Sequence, residues 1–195
     1  MFINWQLREL NLKIVYYGPA LSGKTTNLEQ IYAKVNPKRR GELVSLKTQE
    51  DRTLYFDFLQ IELGKISGLT PKIHLYTVPG QTYYEASRKL VLRGADGVVF
   101  VADSARDQLR ANVVSWRNLN SHLKSFDLSI DDIPVIVQFN KRDLPNALPT
   151  QLLQKSLRLN GKPTFNAVAM DGKGVFDTLK ATIGRVVKRV QKEMR

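Results

Sequence analysis

The chain has 195 residues, 43% hydrophobic and 25% charged, the proportions of a folded globular chain rather than a disordered or collagen-like one. Thirty Lys and Arg against 18 Asp and Glu give a formal charge of +12, which favours acidic partners such as nucleic acid, anionic membrane or acidic protein and says nothing of fold. Cysteine is absent, which excludes a disulfide framework, a thiolate zinc site and a cysteine nucleophile, and points to a cytosolic setting.

Residues 1–8 lack the long apolar core of a signal peptide, and no run nears the roughly 18 apolar residues of a membrane span. The glycine of a myristoylation signal and the cysteine of prenylation are both missing. The expectation is a chain neither secreted nor integral to a membrane, with any membrane contact electrostatic or through a partner.

In chain order, residues 12–17 read as a strand and 24–35 as an amphipathic helix. Residues 54–63 and 73–78 read as strands joined by 64–71, a link with no room for a helix, so this pair is antiparallel. A helix over 83–92 follows, then a strand over 97–102 that is apolar on both faces, as a central parallel strand should be. The rest alternates: helix 109–124, strand 134–140, helix 149–157, strand 165–169, helix 175–192. Such alternation predicts an α/β fold with a mostly parallel six-stranded sheet, one antiparallel strand and helices on both faces. No repeat or low-complexity linker interrupts it, so residues 1–195 are expected to form a single domain.

Gly18-Pro19-Ala20-Leu21-Ser22-Gly23-Lys24-Thr25 fits G-x-x-x-x-G-K-[ST] and stands between a strand and a helix, the context that marks a phosphate-binding loop. Its glycines let backbone N–H groups turn inward around phosphates. The helix N-terminus adds its positive dipole end, Lys24 reaches the outer phosphates, and Thr25 offers a hydroxyl to Mg²⁺.

Asn140-Lys141-Arg142-Asp143 closes another strand about 115 residues later, at the carboxyl edge where open α/β sheets bind ligands. A carboxylate at Asp143 accepts two hydrogen bonds from the N1–H and exocyclic amine of guanine, whereas adenine presents an acceptor at N1. Guanine is therefore the expected base, with Asn140 tying this loop to the phosphate loop and the Lys141 stem covering the base face. Thr77-Val78-Pro79-Gly80-Gln81 ends a third strand, where the Gly80 N–H can approach a γ-phosphate and Gln81 can orient an attacking water. In the polar segment 48–53 either Thr48 or Thr53 could be the second Mg²⁺ ligand, and Arg52 could be a plain surface charge.

Together L-K-I-V-Y-Y-G-P-x-L-S-G-K-T-T-N-L, D-R-T-L, F-D-F-L, H-L-Y-T-V-P-G-Q, A-S-R-K-L, D-G-V-V-F-V-A-D-S, N-K-R-D-L-P-N-A and G-V-F-D-T-L-K resemble the Ras superfamily of small GTPases, most specifically its bacterial mutual-gliding (MglA) group. The resemblance runs from Ile3 to the final helix. It implies a Ras-like fold, Mg²⁺, bound GTP or GDP, and a cytoplasmic polarity switch with a slow intrinsic rate, concentrated at a cell pole through its partners. Those partners would be effectors that read the switch regions, acidic ones included, and a dimeric roadblock-type (MglB-like) activator. It assigns Arg52 as an arginine finger in cis, Thr53 to Mg²⁺ and Gln81 to the water. Thr26 joins the phosphate-binding set, and Val168 and Ala169 join the loop over the guanine O6.

Two positions carry distinct implications. Thr77 stands where most Ras-like proteins have the aspartate of D-x-x-G, as it does throughout this group, removing a carboxylate from the Mg²⁺ surroundings. Ala20 replaces the group's usual glycine at the third position of the phosphate loop, where a side chain crowds the glutamine and arginine at the transition state. The alternative to a slow GTPase is thus a GTP-binding scaffold with negligible hydrolysis.

His74 and His122 stand apart from each other and from any carboxylate cluster, so neither is expected in metal binding or acid–base work. Asp131-Asp132 reads as a turn or cap. The aromatics do not interleave with Lys and Arg, so nucleic-acid binding rests on net charge alone. Basic residues gather at Lys38-Arg39-Arg40, at Arg88, Lys89 and Arg93, and along the last helix, whose opposite face carries Leu179, Ile183, Val186, Val187 and Val190 at helical spacing. The basic face of that helix reads as solvated, or as a surface for anionic lipid, an acidic partner or, least of all, nucleic acid.

Overall fold

The computed structural model describes residues 1–47, 53–66, 68–80 and 84–193, the side chains at 46, 47 and 53–55 excepted. The chain order is Phe2–Asn4 (β1), Glu9–Tyr17 (β2), Lys24–Lys34 (α1), Val44–Lys47 (β3), Thr53–Glu62 (β4), Thr70–Thr77 (β5), Glu85–Leu92 (α2), Gly97–Asp103 (β6), Leu109–Lys124 (α3), Val135–Asn140 (β7), Thr150–Leu157 (α4), Thr164–Asn166 (β8) and Val175–Glu193 (α5).

One sheet runs β3-β4-β5-β2-β6-β7-β8, with β1 paired to β2 beside this path. From β5 to β8 every neighbour is parallel, and β4 lies antiparallel to β5. The expected six strands are thus all present, and two short ones, β1 and β3, extend the sheet by antiparallel pairing. Strand β1 carried no glycine or proline signal for its turn. Its connection closes because the Asn4 side chain accepts from the Leu7 amide at 3.1 Å and Arg8 takes a left-handed φ of 52°.

Strands β6 and β7 are buried along their whole length. In β5 burial alternates, with Ile73, Leu75 and Thr77 inward on one face. One core lies between the sheet and α2, α3 and α4 and includes Tyr17, Phe100, Trp116 and Phe139; the other lies under α1 and α5 and includes Ile14, Tyr16, Leu59, Leu75 and Val186. Each such side chain contributes roughly 1.5–3 kcal/mol when fully buried. The strand expected over 165–169 is shorter. After Asn166 one further bond forms, Ala167 N–H to the Phe139 carbonyl at 2.8 Å, and the chain then turns, because Val168 pairs with Lys173 and the Ala169 amide is drawn to Asn140.

This topology sets the carboxyl ends of the parallel strands, Tyr17, Thr77, Asp103, Asn140 and Asn166, along one edge. The first of them, β2, has β5 on one side and β6 on the other, the switch point at which doubly wound sheets open a crevice.

Candidate functional site

Residues 18–23 join β2 to α1 as a tight loop whose glycines are fixed by space as well as by conformation. Gly18 has a φ of 151° and Gly23 a φ of 97°; a Cβ on the first would overlap the Val101 carbonyl oxygen, and one on the second the Asn140 amide nitrogen. Pro19 and Ser22 are buried, Ala20 is half-buried, and Leu21 turns its side chain outward with a φ of 59°. Gly23 caps α1 without a side-chain bond, so the first-turn amides, those of Lys24, Thr25 and Thr26, face the mouth of the loop. The Lys24 ammonium is buried and donates to the carbonyls of Gly18 at 3.2 Å and Pro19 at 2.7 Å. Burial pushes its pKa down to about 7, with Asp57 opposing the shift and Arg88 adding to it.

Behind Thr25 lies a carboxylate. Asp57 is fully buried on β4, in register with Leu59 and Ile61 on the face under α1. Its Oδ2 accepts from the Thr25 hydroxyl at 2.5 Å and the Thr77 hydroxyl at 2.7 Å, while its amide donates to Thr77 Oγ1 at 2.9 Å; Ser45 donates to Oδ1. The carboxylate missing at Thr77 is therefore present beside the same spot, supplied by the adjoining antiparallel strand. Hard oxygens from Thr25 and Asp57 converge there, a donor set suited to Mg²⁺, which takes one or two carboxylates and fills its shell with phosphate and water. Among the described residues no group of three or more His, Cys, Asp or Glu forms a metal cage.

Gly80 closes the same side. A Cβ there would overlap the N and Cα of Ala20 and stand 2.7 Å from the Pro19 carbonyl carbon, so the backbone after β5 rests directly on the phosphate loop. Thr53 is the first residue of β4, its side chain outside the described residues; Thr48, Arg52 and Gln81 lie outside them altogether.

At the far end of the edge, Asn140 donates to the Ser22 carbonyl at 2.8 Å and accepts from the Ala169 amide at 2.9 Å, pinning three loops together. Lys141, with a φ of 62°, extends its stem so that Nζ meets Asp103 Oδ2 at 2.5 Å. The amide of Arg142 donates to the Ala167 carbonyl at 3.1 Å, which ties this loop to the chain that leads into the Val168–Ala169 turn, and Asp143 is exposed. Under this platform a buried amide pair, Asn27 and Gln138, exchanges two hydrogen bonds of 2.9 Å, and Gln138 also donates to the Thr178 hydroxyl at 3.1 Å.

Phosphate loop, buried lysine, hydroxyl–carboxylate pair and base loop thus share one edge in the order of a nucleotide site. The sequence profile of the ADP-ribosylation factor family matches residues 1–182. The chain belongs to this family of Ras-like small GTPases. It is also 52% identical, over 98% of its own length and 98% of the relative's, to the mutual gliding-motility protein MglA of Myxococcus xanthus strain DK1622.

Three features of this GTPase were not assigned from sequence. Asp57 had a signal, a carboxylate at a buried parity of an alternating strand, but its partners Thr25 and Thr77 lie 32 and 20 residues away. Asp103 is the anchor of Lys141. His122, expected to stand apart from carboxylates, instead links two helices to the strand that enters the phosphate loop. Its Nδ1 lies 3.0 Å from the Tyr17 hydroxyl and its Nε2 3.4 Å from Glu85 of α2. Asp132 makes the expected turn, accepting from the Ser129 amide at 2.5 Å.

Proposed function

We propose that this small GTPase binds GTP with Mg²⁺, hydrolyses it slowly, and signals through the segments around Arg52 and Gln81 to control gliding motility and cell polarity in the cytoplasm. The observation that carries the reading is the Thr25–Asp57–Thr77 cluster behind the phosphate loop, which restores a carboxylate where the sequence motif lacks one. The 52% identity to a mutual gliding-motility protein supports the cellular role.

In this reading Gly18, Pro19, Ala20, Leu21, Ser22, Gly23 and Thr26 surround the phosphates with backbone amides, and Lys24 exchanges its loop carbonyls for phosphate oxygens. Thr25 and Thr53 would hold Mg²⁺, with Asp57 orienting the Thr25 hydroxyl, and the ion would neutralise phosphate charge when bound. Gln81 positions the water for in-line attack, the Gly80 amide meets the γ-phosphate, and Arg52 stabilises the developing charge in cis. Asn140, Lys141 and Asp143 select guanine, with the backbone of Val168 and Ala169 over O6. A dimeric roadblock-type activator of the MglB kind accelerates the step by seating Arg52 and Gln81, and effectors read the same segments.

One observation favours a second reading, a GTP-binding scaffold with negligible turnover: Ala20 bears a methyl group on the very backbone that Gly80 touches. Single-turnover phosphate release separates the two. A measurable rate that increases in Ala20→Gly supports the slow enzyme, whereas no release from the wild-type chain, even with its activator, supports the scaffold. Asp143→Asn is expected to abolish the preference for GTP over ATP; an unaltered preference would refute the guanine assignment.

A further inference from the structure

A cleft of about 540 Å³ opens at the pole opposite the nucleotide site, between the last turns of α5 and the loops that begin β7 and β8. Arg185, Lys188, Arg189 and Lys192 line one wall. Their spacing of three, four and seven residues puts all four on a single face of α5. The apolar stripe through Val186 and Val190 is buried against the sheet, which aims this row outward. Lys162 stands on the opposite wall and bonds to the Ile130 carbonyl at 3.0 Å and to Asp131 at 2.7 Å. The lining carries five cations against Asp131 and Asp132.

Past Lys162 the wall continues into a second cleft of about 310 Å³ between α3 and α4, which shares Asp131, Asn160 and Lys162 with the first and adds Trp116, Arg117 and Arg158. The two meet at Asp131, Asn160 and Lys162 as one trough with basic side chains along both parts. None of the residues assigned to nucleotide lies in either cleft.

We propose that this trough docks an acidic segment of a partner protein, in a manner independent of the bound nucleotide. Charge chooses this occupant over a membrane surface: Asp131 and Asp132 on the wall oppose a continuous anionic sheet, whereas the separate carboxylates of a peptide can each meet one cation of the row from Arg185 to Lys192. The row from Arg185 to Lys192 rises about 10 Å at 1.5 Å per residue, the reach of three residues of extended peptide at about 3.3 Å each. The fork-shaped guanidinium of Arg185 suits carboxylate recognition, and Arg189 already holds one carboxylate, that of Glu193 at 2.8 Å on the same helix.

The test uses the full chain and a fluorescein-labelled peptide of eight glutamates, with an eight-glutamine peptide as control, at near-physiological salt. Binding of the glutamate peptide is expected with GDP or GTP loaded alike, weakened at least about tenfold in Arg185→Glu/Lys188→Glu through loss of charge-assisted contacts. Lys38→Glu/Arg39→Glu removes the same charge from exposed positions elsewhere and is expected to change affinity less than about twofold, since neither residue lines the clefts. Circular dichroism establishes that each variant is folded, and the milder Arg185→Gln/Lys188→Gln replaces the first should it unfold. Equal weakening by both double variants would mean attraction by net charge alone and overturn the proposal. So would absence of peptide binding, or binding of phosphatidylserine vesicles through Arg185 and Lys188 in place of the peptide.

Discussion

The Thr77 hydroxyl donates to Asp57 Oδ2 at 2.7 Å across the antiparallel pair β4–β5, and the Asp57 amide donates in return to Thr77 Oγ1 at 2.9 Å. A hydroxyl at the end of β5 and a carboxylate on β4 thus form one unit, which also accepts from the Thr25 hydroxyl. Asp57→Asn is expected to lower Mg²⁺-dependent nucleotide affinity about 10–100-fold, the usual cost of removing an outer partner of a metal ligand. Titration of Mg²⁺ into nucleotide-loaded protein measures this, and an unchanged midpoint would contradict it.

Restoring the commoner motif should do harm. Thr77→Asp places two carboxylates in one buried space, so one of them acquires a raised pKa. A carboxyl whose folded pKa is raised destabilises the fold above its unfolded value near 3.9 and loses that effect in acid; each pH step between the folded and unfolded values costs about 1.4 kcal/mol. The stability deficit of Thr77→Asp, measured without Mg²⁺ or nucleotide, should therefore be largest near neutrality and shrink toward pH 4. The exchange Thr77→Asp/Asp57→Thr should recover most of it.

Gly80→Ala forces a methyl group into the backbone of Ala20 and Pro19. Neither neighbour is the yielding end of a side chain, so the segment after β5 must lift off the phosphate loop. Loss of γ-phosphate discrimination is expected, read as a GTP-to-GDP affinity ratio that collapses toward unity; a ratio like that of the wild-type chain would remove Gly80 from the site.

The buried amide pair fixes the loop from below. Gln138→Leu leaves the Asn27 side chain without its two 2.9 Å bonds to Gln138, which should cost about 1–3 kcal/mol in urea unfolding. Asn27→Leu/Gln138→Leu should cost less than the sum of the single changes.

How much of this was legible follows from the range of each interaction. The phosphate and base loops are local motifs, and their residues declare themselves by spacing. The alternation of strand and helix placed them on one edge. Asp57, Asp103 and the Glu85–His122–Tyr17 link depend on partners brought together only by the fold, His122 and Tyr17 being 105 residues apart. Strand β1 was hidden because an Asn side chain and a left-handed Arg8 do the work that glycine announces elsewhere.

His122 makes its own prediction. Burial, with Arg88 next in effect, lowers its pKa, and the hydrogen bond and charge of Glu85 only partly oppose them. Its folded pKa lies below the unfolded 6.5, so the unfolded chain binds more protons and stability falls as pH drops through 6.5. His122→Gln should lessen the loss of stability between pH 7 and pH 5 relative to the wild-type chain. An identical pH profile would show that the imidazole is not the group responsible.

The most direct test of the central claim is single-turnover release of phosphate from GTP by the purified chain and its Arg52→Ala variant, each with and without a roadblock-type activator. Slow release by the wild-type chain alone, strong stimulation by the activator, and loss of most of that stimulation in Arg52→Ala are expected, within the factor of about 10³–10⁵ an arginine finger supplies, while GTP affinity stays within a few-fold. A stimulated rate unchanged by Arg52→Ala would contradict that claim.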